Sequence, residues 1–150
     1  MINIMKMRLL SLPMLLLVAL VANGCDNPVG AGSGGGHPEG FVITNAQGAE
    51  VATYRHGGTS TGQITANASG VSTFRIFLLA RDGTRIELDG LEYRIRSATV
   101  TTEVFASATI VGADQLRVSG KNIAGSTILL LDVEHGNHPE FVGRVTLLMQ

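Results

Sequence analysis

The chain of 150 residues has one cysteine, Cys25, no tryptophan, and aromatic side chains at only 5% of its positions. A lone cysteine cannot form a disulfide within a monomer, and it excludes zinc sites of the double CxxC kind. Charge is also sparse: Asp, Glu, Lys and Arg make up 15% of the residues, with signs interspersed and a formal net charge of −1. No basic stripe is available to neutralise phosphates and no arginine-and-aromatic surface to stack bases, which excludes nucleic acid as a partner. Beyond residue 24, no stretch of ten or more residues keeps a helical period bounded by caps. HExxH is absent.

What is present begins with a segment of uneven chemistry. Lys6 and Arg8 stand without an acid nearby, residues 9–22 are almost wholly apolar, and Gly24 ends the run in a small residue before Cys25. This is the layout of a secretory signal over 1–24. Fourteen apolar residues give roughly 21 Å of helix, short of the roughly 30 Å hydrocarbon core, so a signal fits better than a permanent span. The run Val21-Ala22-Asn23-Gly24-Cys25 resembles the lipobox of bacterial lipoproteins. That resemblance implies cleavage before Cys25, lipidation of its thiol, and attachment to an inner or outer membrane of the cell envelope through acyl chains. An ordinary secretory cleavage would instead leave a free thiol. Removing 24 of the 150 residues leaves 126, with 9 basic against 12 acidic side chains, a formal charge of −3.

The next segment, 26–36, is rich in glycine and has almost no side chains able to offset backbone ordering entropy. Residues 25–40 are therefore expected to be a flexible, lipid-anchored linker, followed by a folded domain over 41–150. From Phe41 onward the apolar residues recur with period two. Phe74, Ile76 and Leu78 alternate across Arg75 and Phe77, and Leu91, Tyr93 and Ile95 alternate with Glu92, Arg94 and Arg96. Period two predicts strands with one buried face. The expected strands are 41–44, 50–55, 62–66, 72–80, 85–89, 91–96, 100–107, 115–119, 126–134 and 141–149. Turn chemistry separates them, for example Asp82-Gly83, Asp89-Gly90 and the stretch 135–139. Many short strands with frequent turns predict an all-β fold, a β-sandwich.

The carboxy-terminal half resembles the ending of bacterial immunoglobulin-like domains in Gly120, Gly125, Thr127, the apolar strand 128–133 and the final run Phe141-Val142-Gly143-Arg144-Val145. The hairpin about Asp82-Gly83 fits the middle of such a domain. The resemblance covers roughly 41–150 and implies an immunoglobulin-like β-sandwich of the kind without cysteines, acting as a spacer, an adhesive module or a partner-binding module.

One polar constellation stands out. The tripeptide His37-Pro38-Glu39 precedes the first expected strand, His138-Pro139-Glu140 precedes the last, and His135 lies three residues before the second copy. Imidazole nitrogen and carboxylate oxygen are natural ligands for zinc or copper. In an immunoglobulin-like sandwich the entry to the first strand and the loop before the last lie at the same end. His37, Glu39, His135, His138 and Glu140 are therefore candidate metal ligands, against the plainer reading that they are exposed residues of polar turns. His56 is expected to be solvated and outside the set. Asp82, Glu87 and Asp89 read as turn and surface residues rather than acid/base catalysts. Arg81, Arg85, Arg94 and Arg96 are expected to pair across strands with Glu87, Asp89 and Glu92.

The expected function is that of a lipid-anchored, noncatalytic binding or structural module of the cell envelope, with no catalytic residues and no required cofactor. An envelope metal-binding protein using the His/Glu loops is the alternative. An envelope protein partner, docking by adding a strand to a sheet edge, is a further expectation.

Overall fold

Alternation of apolar and polar side chains turns into two sheets with one shared interior. A computed structural model describes residues 37–150. The expected signal peptide, Cys25 and nearly all of the linker lie outside the described residues. The strands are β1 (Gly40–Thr44), β2 (Glu50–Arg55), β3 (Thr61–Gly62), β4 (Ile64–Ala66), β5 (Val71–Leu79) and β6 (Arg85–Ile86). They continue with β7 (Tyr93–Val100), β8 (Ala106–Val111), β9 (Gln115–Gly120), β10 (Gly125–His135) and β11 (His138–Met149). The described residues contain no helix.

The first sheet has the order β3-β2-β1-β5-β9-β8, and β6 pairs with the end of β5. The second has the order β4-β11-β10-β7. Every pairing is antiparallel except β4 with β11. Assigning the letters A to G to β1, β5, β7, β8, β9, β10 and β11 gives A-B-E-D in one sheet and C-F-G in the other, the immunoglobulin-like β-sandwich arrangement. Strands β2, β3 and β4 fill the connection between A and B. The first two widen one sheet, and β4 crosses to the last strand of the other.

The interior takes every second residue. Phe74, Ile76 and Leu78 of β5 face Leu129, Leu131 and Val133 of β10 and Val145, Leu147 and Met149 of β11 in one buried cluster. Each such side chain contributes about 1.5–3 kcal/mol by leaving water, and without a disulfide this burial is the main stabilising term.

Four expected segments come out differently. The segment 62–66 splits at Gln63, because Gly62 has φ 73° and turns the chain out of the first sheet. A Cβ there would lie 2.3 Å from the Val51 carbonyl oxygen, so only glycine allows that approach. The segment 85–89 pairs for two residues only. The segment 91–96 becomes Tyr93–Val100, starting later because the Asp89 carboxylate accepts from the Leu91 and Glu92 amides and holds a turn. Finally, 100–107 is not one strand. The Thr127 hydroxyl accepts from the Thr102 amide and the chain turns before resuming at Ala106. β-branched Thr101 and Thr102 suit a strand by propensity, but hydroxyl bonding at this corner overrides it.

The arginines do pair with carboxylates, though with other partners than expected. Strand β7 lies against β10, and register places Arg94 opposite Glu134, with Nη2 2.6 Å from Oε2. Arg85 pairs with Glu50, Arg81 with Glu39, and Arg96 with Asp132 and Glu134. Sheet neighbours, not sequence neighbours, choose the pairs.

Candidate metal centre

At one end of the sandwich three aromatic rings close the core. Phe41 and Tyr54 of the first sheet stack on Phe141 of the second, with centroids 5.3, 6.4 and 5.9 Å apart. Gly143 makes the room, since a Cβ at that position would lie 2.1 Å from the Phe41 ring. Above this floor the chain enters β1 from one side and the β10–β11 hairpin rises from the other.

The entry is held to the first sheet by its backbone. The Glu39 amide donates to the Leu79 carbonyl at 2.7 Å, and the His56 amide donates to the Glu39 carbonyl at 2.6 Å. Pro38 is buried, which leaves His37 at the mouth. On the hairpin, His135 and His138 pair across a two-residue turn in which Gly136 has φ 58°. The expected loop 135–139 is thus mostly strand. The register then steps from Val133 opposite Phe141 to Glu134 opposite Pro139, so Glu140 is the extra residue of a β-bulge. A bulge re-aims the side chain it carries.

The result is convergence of three expected ligands. His37 Nδ1 lies 2.8 Å from Glu140 Oε1. The His37 and His135 rings meet edge to face at 5.7 Å. One ligand atom from each of His37, His135 and Glu140 lies within 4.8 Å of the other two. A tetrahedral ion with bonds near 2.0 Å separates its ligand atoms by about 3.3 Å, so shifts of roughly an ångström would let all three bind. The His37 side chain is 70% exposed and can rotate to do so, whereas Glu140 is 21% exposed and held by its strand.

The other two expected ligands point elsewhere. Glu39 faces Arg81 at 3.9 Å, and His138 is exposed outside the cluster. The pleat and the bulge decide this, because a tripeptide brought to the right end still presents only some of its side chains inward. His56 is exposed and lies outside the cluster, with its ring 5.6 Å from that of Phe141.

Two residues with no expected role here complete the surroundings. Tyr93 stacks on His135 at 4.5 Å and 24°, and Glu92 Oε1 lies 3.6 Å from His135 Nε2. Both follow from Tyr93 standing opposite His135 in register, which no local pattern announces. Burial pushes the Tyr93 phenol pKa above its ordinary value, and the charges of Glu92 and Glu140 push it further the same way. Two imidazoles, a carboxylate and a second carboxylate beside one ring form a donor set suited to a divalent transition metal, with Glu92 able to orient the His135 ring.

A cavity of about 460 Å³ lies apart from this cluster, lined by the β1–β2 turn with Arg75, Phe77 and Arg85. Its two guanidinium groups are engaged by Asp114 and Glu50. Comparison of the chain with protein-family models, with curated proteins and with solved structures finds no match.

Proposed function

We propose that the protein is a lipid-anchored, noncatalytic module of the bacterial cell envelope that binds a divalent transition metal, such as zinc or copper, through His37, His135 and Glu140. The observation that carries the metal is the meeting of three donors from distant chain positions within 4.8 Å. A noncatalytic role is supported by the carboxylates elsewhere: Asp114, Glu50 and Glu134 each sit in an arginine pair, which disfavours proton exchange with a substrate. The anchor rests on the lipobox-like sequence ending at Cys25.

Calorimetric melting tests the metal. At zinc or copper 100-fold above the dissociation constant, the melting temperature rises by about 10 °C. In His135→Ala the rise is lost. No shift at saturating metal rejects the reading. Mass spectrometry of the mature amino terminus tests the anchor independently, an unmodified Cys25 being the result that removes it.

A further inference from the structure

We infer that the metal site is an inter-sheet staple, in which one ion ties the entry of the chain to the last hairpin and takes the mechanical place of a disulfide. This rests on the metal reading above and adds a role to it. His37 belongs with the first sheet, because the next residue but one, Glu39, bonds to Leu79 of β5 and to His56 beyond β2. His135 and Glu140 belong to β10 and β11 of the second. An ion held by all three closes a loop whose ends, His37 and Glu140, are 103 positions apart.

Cross-links that close long loops remove the most conformational freedom from the unfolded chain. The single cysteine rules out an intramolecular disulfide that would do this covalently. Without metal, the mouth is spanned by the contact between Glu140 and a largely exposed His37. An exposed polar contact of this kind holds weakly. The stacked rings of Phe41, Tyr54 and Phe141 beneath it already align the two sheets, so an ion would lock a preformed arrangement. The hairpin alone offers His135 and Glu140, and His37 is what turns a hairpin site into a staple.

Any ion that binds the native state raises the melting temperature, so the deciding measurement is local. Hydrogen exchange followed by mass spectrometry, on the full chain with and without zinc, reads opening at 38–44 and at 133–141 separately. Zinc is expected to slow exchange about tenfold or more in both segments of the unaltered protein and of His138→Ala. In His37→Ala, whose replaced side chain is exposed and whose folding is checked by its melting curve in chelator, zinc binds about 100-fold more weakly. Zinc at saturating concentration then slows 133–141 alone. If zinc binds His37→Ala as tightly as the unaltered protein and leaves 38–44 unchanged in both, the staple is overturned and the metal reading is cut back to His135 and Glu140. If neither zinc nor copper gives a binding heat or any change in exchange, both fall.

Discussion

The two copies of His-Pro-Glu use the same three residues in opposite ways. In the first copy His37 joins the cluster, Pro38 is buried and Glu39 turns away to Arg81. In the second His138 is exposed, Pro139 is exposed within a strand and Glu140 joins the cluster. Each leads into a phenylalanine, through Gly40 in one case and directly in the other, and the rings of Phe41 and Phe141 stack at 6.4 Å. A Cβ at position 40 would lie 2.0 Å from the Tyr54 carbonyl oxygen, so the extra residue of the first copy can only be glycine. The second copy has no such spacer, and its Glu140 is accommodated as a bulge. Backbone path, not residue identity, decides which side chain reaches the mouth.

The largest test removes what the two copies share. Phe41→Ala is expected to cost about 3–5 kcal/mol in urea unfolding, and Phe141→Ala an amount at the lower end of that range because its ring is not fully covered. A cost under about 1 kcal/mol for either would mean that the two copies are not docked on a common floor. The next test separates the glutamates. Glu140→Gln weakens zinc binding about 100-fold, whereas Glu39→Gln changes it less than about threefold, as titration calorimetry would read. Equal losses would erase the distinction between the copies. The prolines differ by less. Pro38→Ala loses a buried ring and costs about 1 kcal/mol, while Pro139→Ala stays within about 0.5 kcal/mol, both by urea unfolding.

How far the sequence makes this legible depends on the range over which each feature is set. Strands such as Glu50–Arg55 and Gln115–Gly120 are legible because alternation is a property of neighbours along the chain. That the two tripeptides meet at one end follows from topology, and topology follows from counting strands. The choice of His37 over Glu39, and of Glu140 over His138, depends on a bulge whose existence is fixed by pairing between β10 and β11. Period two cannot show it. Glu92 and Tyr93 were hidden for the same reason: Tyr93 reads as one more inward strand residue until the register sets it against His135. Thr101 and Thr102 misled in the other direction, because a β-branched run has the same composition in a strand as at a hydroxyl-bonded corner.

The smallest expected effect compares the glutamates without any metal. Tyr93 is 4% exposed, and its phenol pKa is raised first by burial, then by the charge of Glu92, then by that of Glu140. A negative neighbour disfavours phenolate, so removing one lowers the pKa. Because the folded value lies above the unfolded one, the neutral phenol favours folding below the ordinary tyrosine range, and that contribution is lost as pH rises through the folded pKa. With only two tyrosines in the chain, Tyr54→Phe leaves Tyr93 as the sole phenol, and absorbance near 295 nm follows it alone. In that background Glu92→Gln should lower the titration midpoint most, Glu140→Gln less, and Glu39→Gln not at all. Burial keeps the midpoint above that of free tyrosine in all three. A fall with Glu39→Gln equal to that with Glu140→Gln would place both glutamates at the same distance from the ring, and the two tripeptides would then present their carboxylates alike.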